Sequence, residues 1–139
     1  MSIPFLRLER RKFKRAKVRF IVMCRVNSPL SVRIIVGHKE INAISLNLSE
    51  GGMAILTNYG IPTSSLITVE FIALNDNAFR DQDRSRSMEV QTQVRYNFLT
   101  KERAYRLGVS FIDISEDDRR FIADFVRMGS IRYENAKIA

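Results

Sequence analysis

Along most of the chain, apolar residues alternate with polar ones instead of recurring every three or four positions. Val18, Phe20, Val22, Cys24 and Val26 fall on one side of an extended backbone, with Arg19, Ile21, Met23 and Arg25 on the other. That period of two, rich in β-branched residues, marks a half-buried strand. Asn27-Ser28-Pro29 breaks the run, and Pro29 argues against an unbroken central strand because it offers no ladder donor. The pattern predicts a second strand over 32–36, ended by Gly37-His38-Lys39, and a third over 41–48 with Ile44, Leu46 and Leu48 facing one way. Ser49-Glu50-Gly51-Gly52 then leads into an apolar run over 53–56. Turns around Gly60 and Pro62 precede a strand over 66–74. In the next strand Val90, Thr92, Val94, Tyr96 and Phe98 share a face opposite Gln91, Gln93, Arg95 and Asn97. Tyr105, Leu107, Val109 and Phe111 form the last strand.

Periodicity changes only once. Ser115-Glu116-Asp117-Asp118 has the capping-box form, a hydroxyl followed three residues later by a carboxylate, and its acids suit the positive end of a helix dipole. Phe121, Ile122, Phe125 and Val126 recur at helical spacing, with Gly129 as the expected stop. The fold class that follows is mainly β: a six- to seven-stranded antiparallel β-barrel with a C-terminal α-helix packed on it. Between Asn75 and Ser87 a charged segment with one isolated phenylalanine, Phe79, reads as an exposed excursion within a hairpin.

Composition narrows the functional classes. The 139 residues suit one domain, and a hydrophobic content of 45% supplies a core. The longest purely apolar run, Phe20–Cys24, is far short of the roughly 18 residues of a membrane span, and no signal peptide is expected at the start, so the expected location is cytoplasmic. One cysteine and one histidine exclude an internal disulfide and a Cys/His zinc site. The net charge is +8, from 23 Lys and Arg against 15 Asp and Glu. Residues 1–20 hold eight of the basic residues and a single acid, Glu9, so the remainder is almost neutral. The chain therefore divides into a flexible basic arm over 1–16, a barrel with its helix over 17–129, and a C-terminal tail over 130–139.

Catalytic readings find little support. Cys24 alternates with core residues and reads as a packing thiol. His38 lies in a turn beside Gly37 and reads as solvated. Glycine patterns for a P-loop or a dinucleotide fold are absent. Asp76, Asp81 and Asp83 are interleaved with Arg80, Arg84 and Arg86, a self-neutralising segment that lacks the glycine and terminal glutamate of a calcium loop. No catalytic residue, metal site or cofactor is expected, and the chain reads as a non-enzyme.

Two short patterns remain. Glu9-Arg10-Arg11-Lys12-Phe13-Lys14-Arg15 contains Arg-x-x-x-Arg at Arg11 and Arg15. Asn47-Leu48-Ser49-Glu50-Gly51-Gly52 contains [Asp/Asn]-x-Ser-x-x-Gly at Asn47, Ser49 and Gly52. In this order and flanking a strand region, they resemble the PilZ domain, a bacterial receptor for cyclic di-GMP. Tyr105-Arg106-Leu107-Gly108-Val109-Ser110-Phe111 looks like the family's last strand, and the stretch from Glu116 to Phe121 is similar to the start of its terminal helix. The resemblance covers about Glu9 to Phe125, and it implies the PilZ-type barrel and cyclic di-GMP as ligand.

The resemblance also implies residue roles. Arg10, Arg11 and Arg15 would clamp the dinucleotide, and Asn47, Ser49 and Gly52 would form the platform beneath it. The chemistry suits these residues: an arginine fork can bond guanine O6 and N7 together, stack on a purine or pair with phosphate. Asn47 and Ser49, on one face under strict alternation, offer an amide and a hydroxyl, and Gly52 permits close backbone approach. Asn47 stands where aspartate is commoner, and Arg10 resembles members that hold two stacked ligand molecules. Arg95 faces outward, either as a further ligand contact or as an ordinary solvated strand residue. Binding would order the arm and alter a surface read by a downstream protein partner. Two other readings compete: a PilZ-like protein–protein adaptor without messenger binding, and an arm directed at nucleic acid or an anionic membrane. The second is weakened by the neutral body.

Overall fold

A computed structural model of the chain describes the backbone of residues 15–37, 40–74 and 85–138, and the side chains of residues 20–37, 40–73 and 85–127. Six of the seven expected strands form: β1 (Arg15–Ser28), β2 (Ile41–Ser49), β3 (Gly52–Thr57), β4 (Leu66–Leu74), β5 (Ser85–Leu99) and β6 (Tyr105–Asp113). They close into a six-stranded barrel in the order β1-β2-β3-β6-β5-β4, every pair antiparallel. Closure gives every strand two partners, which removes the open edge that would otherwise template association.

The alternation of β1 is realised as read. Val22, Cys24 and Val26 are buried, and Ile21 on the other face is 70% exposed. They meet Leu48, Ile55, Val69, Val90 and Leu107 in the barrel interior, where full burial of each large aliphatic side chain contributes about 1.5–3 kcal/mol. The Cys24 thiol sits within this interior, and desolvation pushes its pKa from 9.0 up to about 12. It is a packing group, and its thiolate is inaccessible at neutral pH.

Three expectations require correction. Residues 30–35 form a short helix, α1 (Leu30–Ile35), not a strand. Its Val32 is buried, as is Val36 at its C-cap. Those two lie four residues apart, on one face of a helical turn, and that burial outweighs the β-propensity of the intervening isoleucines. Gly37 follows with φ 79°, and its N–H donates to the Ile34 carbonyl at 3.0 Å.

The second correction concerns phase. Ile41, Ala43 and Ser45 point inward, Ile44 outward, and the register against β3 shifts between Ser45 and Asn47. Leu46 is the extra residue of a bulge, after which Leu48 is buried. The predicted common face of Ile44, Leu46 and Leu48 is therefore split. A second bulge lies in β5, between Val94 and Tyr96, with Arg95 as the unpaired residue. Val90, Thr92 and Val94 are buried as expected, whereas Phe98 is 51% exposed. Bulges of this kind bend the strand and re-aim side chains.

The third correction is at the C-terminal helix, α2 (Glu116–Ile138). Its start is as predicted, with the Asp118 N–H donating to Ser115 Oγ at 3.1 Å. Ile122 and Val126 are buried, flanked by Phe121 and Phe125 packed against the core. The helix continues through Gly129, so residues 130–138 of the expected tail are helical. One glycine costs a helix only about 1 kcal/mol relative to alanine. From the barrel side, Arg86 Nε pairs with Asp118 Oδ1 at 2.6 Å and ties β5 to the first turn of α2.

Candidate functional site

The β1–β2 register sets the geometry of the site. Arg15 lies opposite Ser49, Ala16 opposite Leu48 and Lys17 opposite Asn47. The strand that leaves the arginine-rich arm therefore enters the barrel directly beside the Asn-x-Ser-x-x-Gly hairpin. Two segments more than thirty residues apart in sequence meet at one end of one strand pair. Arg15 belongs to β1, though its side chain lies outside the described residues. Arg10 and Arg11 lie wholly outside them.

Within the hairpin, the motif side chains turn first to their own backbone. Asn47 Oδ1 accepts the Ala54 N–H at 3.0 Å, closing the bulge at Leu46. The Asn47 amide nitrogen has no partner among the described residues. Ser49 is 5% exposed; its hydroxyl accepts the Gly51 N–H and donates to the Gly52 carbonyl, both at 3.2 Å. A serine hydroxyl has one proton to give, so toward a ligand Ser49 retains only acceptor capacity. Asn47 and Ser49 are thus not two equivalent groups on one open face: among the described residues one keeps an unpartnered donor, while the other is spent on the turn.

Gly52 is required by packing, since a Cβ at that position would strike the Val109 carbonyl of β6. The absent side chain lets β3 lie close against β6, and the Phe111 N–H donates to the Gly51 carbonyl at 2.9 Å to extend the ladder past the turn. Its φ is not positive, so the reason is close approach and not a left-handed turn.

Across β6 the outer surface continues. Ser110 is opposite both Gly52 and, on the other side, Gln93. Arg95 Nε donates to Ser110 Oγ at 2.7 Å. Past the bulge, Tyr96 is opposite Gly108, where a Cβ would collide with the Tyr96 ring. Tyr96 stacks on Phe98 with centroids 6.0 Å apart. Strict alternation sets Tyr96 and Phe98 on the same face as Val94. The Arg95 bulge reverses their phase and brings an aromatic pair to the outside, and nothing in a single sequence marks such a slip.

On the same outer surface, Ile21, Ile44 and Leu56 lie opposite one another in register on β1, β2 and β3. They border a groove of about 660 Å³ with Thr57 and Ala104. Among the described residues no three potential metal ligands cluster. His38 and the acidic run Asp76, Asp81 and Asp83 lie outside them. No described helix is long and apolar enough to cross a membrane.

Comparison with known proteins agrees with this architecture. No curated protein matches the chain by sequence. Among solved structures, the PilZ domain of YcgR from Escherichia coli with c-di-GMP superimposes with a TM-score of 0.59 at 14% identity, covering 94% of this chain and 99% of that one. The Bacillus subtilis inhibitor of motility (MotI/DgrA) gives 0.68 at 15% identity, covering 88% of this chain and 52% of that one. The MrkH–c-di-GMP complex of K. pneumonia gives 0.59 at 14%, with 90% and 53% covered. The chain thus spans about half the length of MotI and of MrkH. These likenesses establish the barrel. The family model for the PilZ domain matches residues 9–128, from the basic arm into α2, and by that match the chain belongs to the PilZ domain family.

Proposed function

We propose that this chain is a bacterial, cytoplasmic cyclic di-GMP receptor of effector type. It binds the dinucleotide between Arg10 and Arg11 of the arm, with Arg15 at the start of β1, and the Asn47–Ser49–Gly52 hairpin. Members of the family are receptors and adaptors, not enzymes, so the output is a change of surface. The observation that carries the reading is the backbone register that sets Arg15 against Ser49: the two motifs meet on one strand pair. YcgR and MrkH, which share the fold, were solved with c-di-GMP.

The division of labour follows from the bonding. Asn47 offers its free amide nitrogen to a guanine acceptor, and Ser49 and Gly52 hold the turn in shape. The arginines supply charge to the phosphodiesters and forks to the bases. Ordering of the arm over the ligand is the switch, a disorder-to-order transition of the kind common in signalling, and the apolar groove bordered by Ile21 and Ile44 is the adjoining surface for a partner protein. That groove also favours the second reading, a protein–protein adaptor in which messenger binding is weak or absent.

Calorimetric titration of the folded protein with cyclic di-GMP, cyclic di-AMP and GTP separates the two. The receptor reading expects saturable binding of cyclic di-GMP and little of the others. Absence of cyclic di-GMP binding by a demonstrably folded domain leaves the adaptor.

A further inference from the structure

Arg95 is an extra residue, and its position is a consequence of that. Val94 is opposite Val109 and Tyr96 opposite Gly108, so Arg95 has no partner on β6. A bulge of this type re-aims one side chain and is over-represented beside functional sites. Here the re-aimed side chain runs across β6 and is fixed by one hydrogen bond, from Nε to Ser110 Oγ at 2.7 Å. This bond occupies the Nε edge and leaves the two terminal nitrogens of the guanidinium with no carboxylate partner among the described residues. Ser110 is opposite Gly52, which is opposite Ser49. From the Ser110 column to the Ser49 column is two strand spacings, about 10 Å. The intervening position is Gly52, which carries no side chain of its own.

Building on the receptor reading above, we propose that Arg95 is a ligand-binding residue on the far wall of the site, directed at a phosphodiester of the dinucleotide, with Ser110 as its positioning residue. Arg95 would bound the site from the β5 side, across from the Arg15–Ser49 pairing on its β1 side. A cyclic dinucleotide with two phosphodiesters on opposite sides of its ring presents an anion in each direction, which a mononucleotide does not. An arginine already tethered at Nε loses less conformational freedom on binding than a free one.

The test is calorimetric titration of cyclic di-GMP into the wild type and the variants Arg95→Ala, Arg95→Lys and Ser110→Ala, with thermal melting as the check that each is folded. The expected results are a loss of affinity of about tenfold for Arg95→Ala, a smaller loss for Arg95→Lys, which keeps the charge, and an intermediate loss for Ser110→Ala, which keeps the arginine but releases it. Wild-type binding with Arg95→Ala unchanged would remove Arg95 from the site while leaving the receptor reading standing. Arg95→Lys as weak as Arg95→Ala would fit a forked phosphate contact, whereas a loss for Arg95→Ala that is the same at low and high salt would overturn the phosphodiester assignment. If the wild type does not bind, the receptor reading itself falls, and this assignment with it.

Discussion

The two walls of the candidate site use polar side chains in opposite ways. On the β2–β3 wall, Ser49 and the carbonyl end of Asn47 are turned back onto the hairpin's own backbone, and Gly52 is there because β6 leaves no room for a Cβ. On the β5–β6 wall, Arg95 donates one bond to Ser110 and makes no ion pair among the described residues. The first wall shapes a surface; the second presents a group on it. A motif residue can therefore matter to binding chiefly through the turn it holds, and a residue outside any motif can be the one that touches.

This contrast predicts a graded series in thermal or denaturant unfolding. Gly52→Ala heads it, since the new Cβ meets backbone that cannot rotate away. Overpacking typically costs about 1–3 kcal/mol, and a main-chain obstruction belongs at the upper end. Ser49→Ala comes next: with 5% exposure it leaves the Gly51 N–H and the Gly52 carbonyl without their side-chain partner, for a loss of about 1–3 kcal/mol. Last is Arg95→Ala, which removes an exposed group and shifts stability by no more than about 0.5 kcal/mol, whatever it does to affinity. If Ser49→Ala unfolds like wild type while Arg95→Ala is strongly destabilised, the assignment of the two walls is reversed.

The sequence carried the barrel well where each strand obeys a single phase. β1 could be read because Val22, Cys24 and Val26 alternate without interruption between Phe20 and Val26, and α2 because Ser115 and Asp118 cap it and Ile122 and Val126 repeat at helical spacing. It failed where phase is decided by a partner strand. The bulges at Leu46 and Arg95 are properties of β2 against β3 and β5 against β6, and no local residue pattern announces them. The consequence is specific: strict alternation makes Asn47 and Ser49 alike and sets Tyr96 and Phe98 on the face of Val94, and the folded strands do neither. Segment 30–35 failed for another reason. Its isoleucines favour a strand, and only the burial of both Val32 and Val36 in the folded barrel selects a helix.

The candidate site was legible as two patterns of residue types and their order. What the sequence could not supply was their adjacency, which the Arg15–Ser49 register provides. That register is also why the basic charge matters here. A +8 chain whose basic residues were spread evenly would suit any polyanion, whereas eight of these fall within residues 1–20, the segment that runs into β1 beside the hairpin.

The most direct measurement of the central claim, that arm and hairpin make one site, is the affinity of Arg15→Ala for cyclic di-GMP relative to wild type, by calorimetry on folded protein. The account predicts a loss of about 1–3 kcal/mol, the cost of one bidentate guanine contact. An Arg15→Ala protein that binds as tightly as wild type would contradict it.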